Sequence, residues 1–207
     1  MKKLVYISTA VLIVALLVGV FCPVHGEAEL YDKVLRLHVL ANSDSEADQA
    51  LKLKVRDTVI ETLTPLVKDL QSIEEVKETA ESSLELIEAR AEETVRAEGY
   101  SYDVTVTLTR EDYPTKSYDS MCFPAGEYTS LRVMIGEAEG QNWWCVLFPP
   151  LCLSAATSKA DNAANNKDAF ISAGLTDDQY NIVTETQNTK YKVRFRILEI
   201  IEGVFKK

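Results

Sequence analysis

The sequence predicts an α+β fold: a sheet of about four strands, mainly antiparallel, with two long helices packed on one face and a C-terminal amphipathic helix. Leu51, Val55, Val59 and Leu63 recur every four residues. A longer stripe runs through Ile73, Val76, Ala80, Leu84, Ile87, Ala91 and Val95 in steps of three or four. Both are helical periods. Other stretches alternate apolar and polar residues, the period of half-buried strands.

In chain order, Leu35 to Leu40 reads as a first strand, with Leu35, Leu37 and Val39 on one face and Arg36, His38 and Leu40 on the other. The turn Ala41-Asn42-Ser43-Asp44 leads into the first helix, where Ser43 and Glu46 fit a capping box. Asp48 and Lys52 pair along that helix, and Pro65 ends or kinks it. Ser72 and Glu75 form a second capping box, and Gly99 stops the second helix. Tyr102 to Arg110 is a strand with Val104, Val106 and Leu108 inward and Thr105, Thr107 and Thr109 outward. An irregular stretch containing Pro114 and Pro124 follows, then a strand from Tyr128 to Ile135 and a turn from Gly136 to Gly140. Trp143 to Phe148 is apolar on both faces, as for a strand covered on both sides. Ser154 to Gly174 has no period and reads as a polar loop, after which Thr176 caps a short helix through Ile182. Val193, Ile197, Ile200 or Ile201, and Val204 give the terminal helix, although Lys192 to Ile197 also alternates like a strand. The expected division is therefore 1–26, 27–153, 154–190 and 191–207.

Residues 1–26 read as a secretion signal. Lys2 and Lys3 precede 18 uncharged residues, Leu4 to Phe21, slightly short of the roughly 20 that a spanning helix needs. Tyr6, Ser8, Thr9 and Gly19 interrupt the run, and Pro23 and Val24-His25-Gly26 follow it. Cleavage is expected after Gly26, with Ala28 as the alternative. Cys22 lies just past the run, but Phe21 stands where a lipid-anchored cysteine requires a small residue. An uncleaved anchor stays open, and the membrane is then met only through this segment. The rest of the chain is expected to work outside the membrane of its parent cell.

The formal net charge is −10. Residues 1–26 hold two lysines and no acid, so the released chain carries −12, which argues against nucleic acid or anionic lipid as partner. Release leaves Cys122, Cys145 and Cys152. In an oxidising compartment a pair should bridge, and Cys145 with Cys152 is the best candidate because Pro149-Pro150 lets the short connection turn back. Three pairings remain open. The cysteine spacing and the one remaining histidine, His38, do not suit zinc.

Two stretches invite a chemical reading. Arg36, His38, Asn42, Ser43, Asp44 and Asp48 gather where a strand hands over to a helix, a common place for ligands. The alternative is that Asn42, Ser43 and Asp44 satisfy the turn and cap. An EF-hand fails, with Ala47 at the glycine position and Leu53 at the bidentate glutamate position. Hydrolysis would need His38 with a carboxylate, and no Gly-x-Ser-x-Gly elbow presents a nucleophile. In the second stretch, adjacent Trp143 and Trp144 must point to opposite faces, so each is either covered by a layer of its own or exposed as a binding anchor.

Those same stretches resemble one family. Arg36-Leu37-His38-Val39-Leu40-Ala41-Asn42-Ser43-Asp44, continuing from Asp48 through Arg56 to Asp57, resembles the N-terminal signature of stage II sporulation protein R. Similar too are Tyr113-Pro114-Thr115-Lys116, Pro124-Ala125-Gly126-Glu127-Tyr128, Leu131-Arg132-Val133, and Gly140-Gln141-Asn142-Trp143-Trp144-Cys145 through Phe148-Pro149-Pro150-Leu151-Cys152. Cys122 is not part of the family pattern. The resemblance implies a protein made in the forespore and exported to the space between the forespore and mother-cell membranes. There it would trigger a membrane-embedded aspartic protease of the mother cell to remove the pro-sequence from a sigma-factor precursor. It implies a signal without cofactor or metal. The partner-contact candidates are Arg36, His38, Asn42, Asp44, Arg56, Trp143 and Trp144. An exported hydrolase using His38, and a plain structural protein of the intermembrane space, are the competing readings.

Overall fold

The computed structural model describes residues 27–118, 121–149, 167 and 170–185, with six scattered positions between 3 and 12. The expected C-terminal helix and most of the polar loop lie outside the described residues, as does most of the leader. Among the described residues no helix is long and apolar enough to cross a membrane.

The fold is α+β. A short helix α1 (Glu27–Asp32) leads to β1 (Leu35–Leu40), then come α2 (Glu46–Val67), α3 (Ile73–Ser82) and α4 (Leu84–Ala97). The chain continues through β2 (Val104–Tyr113), β3 (Lys116–Tyr118), β4 (Met121–Phe123), β5 (Gly126–Ile135), β6 (Asn142–Phe148) and α5 (Asp177–Glu185). The main sheet has the order β2-β5-β1-β6, and β3-β4 form a separate hairpin. β1 runs parallel to β5, and the other two pairings are antiparallel.

Pairing sets the two faces. Leu37 lies beside Leu131 and Leu131 beside Leu108, while Val39, Val133 and Val106 form the next row. These residues meet the helical layer, to which α2 contributes the predicted Leu51, Val55, Val59 and Leu63, all buried. The opposite face carries Arg36, His38 and Leu40 of β1, and β1 is buried at all six positions. A strand buried on both sides with polar residues at two of six positions must satisfy them internally.

The helix boundaries differ from expectation in informative ways. Ser45, not Ser43, caps α2, its hydroxyl accepting from the Asp48 amide. Ser43 is occupied elsewhere. Pro65 sits inside the last turn, and α2 ends two residues later, at Val67. The expected second helix is two helices that share Ser83 as a joint. The Ser83 amide bonds back to Ala80, and the Ser82 hydroxyl donates to the Thr79 carbonyl, the competition with the helix ladder that serine pairs provide. The apolar stripe survives the break, with Ala80 and Ile87 both fully buried. Gly99 ends α4 at φ +85°, and the Gly99 and Tyr100 amides close the Schellman pattern onto Arg96 and Val95.

β2 extends three residues past Arg110, and the irregular stretch after it holds the β3-β4 hairpin. The end of the expected polar loop is also packed, because Phe170 is fully buried and meets Phe123 at 6.4 Å between ring centroids. Thr176 caps α5 as expected, and Gln179 reaches back to the Thr176 amide.

Neighbouring positions on α4 should respond oppositely to truncation. Ile87 is fully buried and Leu86 is 47% exposed. Ile87→Ala should cost about 2–5 kcal/mol, whereas Leu86→Ala should stay within about 0.5 kcal/mol of the parent. Urea unfolding checks both, and equal effects would contradict this packing.

Candidate functional site

The residues singled out in the sequence separate into three places. Asn42, Asp44 and Asp48 build a clasp between the β1–α2 turn and the β5–β6 turn. The buried Asp48 carboxylate accepts from Asn42 Nδ2 at 2.9 Å and from Ser43 Oγ at 2.5 Å. These bonds, with a further one from Tyr102, hold its pKa below the usual carboxylate value against the opposing effect of burial. Asn42 Oδ1 accepts from the Glu137 amide at 3.0 Å, and Asp44 Oδ1 accepts from the Gln141 amide at 2.7 Å. Lys52, also buried, donates to the Gln141 carbonyl at 2.7 Å. Gly136 has φ +58°, and a Cβ there would come within 2.3 Å of Asn42 Oδ1, so glycine is required on both counts. Asn42, Ser43 and Asp44 thus spend polar groups on bonds within the protein, but on the β5–β6 turn and on Asp48, while the helix cap expected of Ser43 falls to Ser45.

Trp143 belongs to the helical side. The Arg56 guanidinium lies 4.8 Å over its ring and pairs with Asp57 at 2.7 Å. Trp143 is half-buried, and Arg56 is its lid.

The other face holds the most elaborate arrangement. Arg36 is fully buried, and its guanidinium carbon lies 4.3 Å from the Tyr113 ring centroid, 4.9 Å from Tyr128, 5.3 Å from Phe123 and 5.7 Å from Tyr118. Nε donates to the Cys145 carbonyl at 3.2 Å and Nη2 to the Tyr118 hydroxyl at 2.8 Å, while Nη1 makes no hydrogen bond. Guanidinium stays charged even when buried. The negative ring faces and two oxygen dipoles balance it, cation–π contacts of this kind contributing about 2 kcal/mol each when desolvated. Burial pushes the Tyr113 and Tyr118 phenols up, so both stay neutral beside it. Arg36 is therefore not an exposed contact residue as the signature suggested; it fastens the β3-β4 hairpin to the sheet.

Beside this cage the sheet face opens. His38 Nδ1 lies 3.1 Å from Glu111 Oε2, and Nε2 lies 2.8 Å from Asn142 Oδ1. His38 is only 9% exposed and stacks obliquely on Trp144 at 5.5 Å. Arg132 Nε lies 3.3 Å from Glu111 Oε1, an electrostatic contact without hydrogen-bond geometry. Burial works to raise the Glu111 pKa. The hydrogen bonds from His38 and Ser130 and the charges of His38 and Arg132 outweigh it, leaving the carboxyl below its usual value. Lys116 Nζ sits 3.9 Å over the half-buried Trp144 ring. Each tryptophan therefore has one face on the protein and one under a cation. Cys122 is buried with a free thiol, Cys145 is buried, and Cys152 lies outside the described residues. Among the described residues, no group of three or more His, Cys, Asp or Glu could hold a metal ion.

Comparison with known proteins decides the family. A family model described as stage II sporulation protein R matches residues 31–158. The chain belongs to the stage II sporulation protein R family. Stage II sporulation protein R of Bacillus subtilis strain 168 is 44% identical over 139 residues, which is 67% of this chain and 62% of that protein. The chain thus spans less than two thirds of its relative's length. No solved structure matches.

The family match covers the clasp, the Arg36 cage and the open face. Glu111 and Tyr113 were missed as members of the face because the alternation from Tyr102 reads as ending at Arg110. Extending its parity would have put both beside Thr107 and Thr109. Lys116 and Arg132 had no such signal, because what matters is the tryptophan and the carboxylate that folding brings to them.

Acid should destabilise this family member through two carboxylates. Asp48 and Glu111 both have folded pKa values below the ordinary 3.8 and 4.5. Their contribution is therefore fully present above those ordinary values and lost as the pH falls through the lower folded ones. Thermal melts across a pH series should show this decline, and Glu111→Gln should make it shallower. An unchanged acid slope in that variant would contradict the His38–Glu111–Arg132 geometry.

Proposed function

We propose that this chain is an exported sporulation signal. It acts by activating a membrane-embedded aspartic protease of the mother cell, which then removes the pro-sequence from a sigma-factor precursor. The observation that carries this reading is the family match over residues 31–158. Export is supported by Lys2, Lys3 and the uncharged run that follows them. The proposed place of action is the space between the forespore and mother-cell membranes, with neither nucleic acid nor cofactor involved. Such a signal works by differential binding: it must hold the active arrangement of the protease more tightly than the inactive one.

The sheet face around His38, with Trp144 on its β6 edge, is the surface we assign to that contact. An aromatic anchor with a polar rim is the usual composition of a binding hot spot. The hydrolase alternative has weaker support. A general base needs a free nitrogen within reach of a nucleophile, and both His38 nitrogens are engaged by Glu111 and Asn142. Ser130, close by, is fully buried and bonded to the Tyr113 hydroxyl at 2.6 Å.

Co-expression with the protease and its precursor substrate in a non-sporulating host tests the proposal. Processing should require all three components, and equal processing without this chain would end the signalling reading. A hydrolase would lose on the order of 100-fold or more on His38→Gln, whereas a binding protein should lose far less.

We also propose that Cys145 pairs with Cys152. The free thiol of Cys122 leaves these two as the remaining cysteines of the released chain. Alkylation of the unreduced, denatured chain should then label one thiol, and reduction should raise the number to three. Three labels without reduction would exclude the bridge.

A further inference from the structure

We propose that the open half of the sheet face binds an acidic segment of the partner protein, with Arg132 and Lys116 taking its carboxylates and the part of Trp144 left uncovered by Lys116 packing against an apolar side chain. The inference deepens the binding role proposed above and rests on it for the partner's identity.

The argument begins from charge. The chain carries −10 overall, and α3, Ser83 and α4 together hold eight glutamates against Lys77, Arg90 and Arg96. The sheet face turned away from the helices has the opposite balance. Strand parity and register place Arg36, His38 and Arg132 on it, with Lys116 of the hairpin over Trp144. Glu111 is the single carboxylate that the described strands of the main sheet bring to this face.

That carboxylate is already committed. Its two oxygens lie 3.1 Å from His38 and 3.3 Å from Arg132. Arg132 presents its side chain 36% exposed and makes its one ion pair through Nε, so its outer nitrogens have no carboxylate among the described residues. Lys116 has none either; its ammonium rests on the indole. A part-exposed guanidinium and an ammonium share this face with a half-buried tryptophan, His38 lying between Arg132 and Trp144 in the register, a combination suited to a carboxylate-bearing chain. The guanidinium accepts a carboxylate through two parallel bonds, and the indole covers the adjacent apolar surface. A basic segment would meet two like charges here. Nucleic acid would meet the same two cations, but also the long-range repulsion of a strongly acidic protein.

The same asymmetry orients the encounter. Among the described residues, the glutamate-rich helical layer repels an acidic segment while this face offers it cations without carboxylate partners, so complementarity favours this docking direction.

An array of twelve-residue peptides, each with one phenylalanine and from zero to four glutamates, tests the chemistry on the purified released chain. Matching peptides carry lysine instead. Retention should rise with glutamate number and fall by about tenfold when Lys116→Gln is combined with Arg132→Gln. Glu93→Gln on the helical layer should leave it unchanged. Lys116→Gln alone removes a charge with no carboxylate partner, so it keeps the test sound if the double variant unfolds. Retention that is independent of glutamate number, stronger on lysine peptides, or unaffected by Lys116→Gln overturns the inference. The co-expression assay separates the two readings. Glutamate-dependent retention without activation by the parent chain would refute the signalling role and leave the acidic site standing. Activation by the parent that Lys116→Gln and the folded double variant match in full would refute the acidic site and leave the signalling role.

Discussion

The sheet depends on the buried carboxylate of Asp48. It is taken out of water on the first turn of α2, and it is tolerable there because Asn42, Ser43 and Tyr102 all donate to it. Asn42 in turn receives the Glu137 amide, and Asp44 the Gln141 amide. The turn that leaves β1 and the turn that joins β5 to β6 are thereby one hydrogen-bonded body. β1 lies between β5 and β6, so this body sets the register of the three strands that carry Arg36, His38, Arg132, Asn142 and Trp144. A one-residue slip would exchange the two faces and bury the wrong half of each strand.

With the register set, the two sides of the sheet take different solutions to burial. The helical side is apolar and closes over Leu37, Val39, Leu131 and Val133 with side chains alone. The other side must accommodate a permanent charge. Arg36 answers that with four aromatic rings, a carbonyl and a phenol, and the hairpin that supplies Tyr118 and Phe123 also lays Lys116 over Trp144. What remains partly open lies beyond His38, where the one carboxylate, Glu111, meets His38 and Arg132 Nε and the outer nitrogens of Arg132 have no carboxylate among the described residues. The arrangement follows from one limited supply of carboxylate on a face with several cations. It connects packing to the proposed role, since a surface with unmet charge beside an aromatic plane is what a partner can complete.

Much of the architecture was legible in the pattern of apolar residues. The two helical stripes, the strands around Val39, Val106, Val133 and Val146, and the stop at Gly99 each follow from local periodicity or from one residue's conformational preference. The errors have local causes as well. Ser43 and Ser45 both make good caps, and the choice fell to Ser45 because the Ser43 hydroxyl donates to Asp48. The Ser83 joint interrupts a helix without disturbing its stripe, and a stripe cannot report such a break. The β3-β4 hairpin is three residues on each strand, too short for alternation to register.

By itself the sequence determined the fold class, the apolar faces of the helices and strands, and, through its two long signatures, the family. These properties are written in residue spacing or in contiguous strings. Tertiary structure alone decided what the signature residues are for. Arg36 and Asp48 turn inward, Trp143 and Trp144 part to opposite sides, and Glu111 meets His38 across 73 positions of chain. A polar residue's task is set by the partner that folding brings within about 3 Å, and that distance in space has no counterpart in distance along the chain.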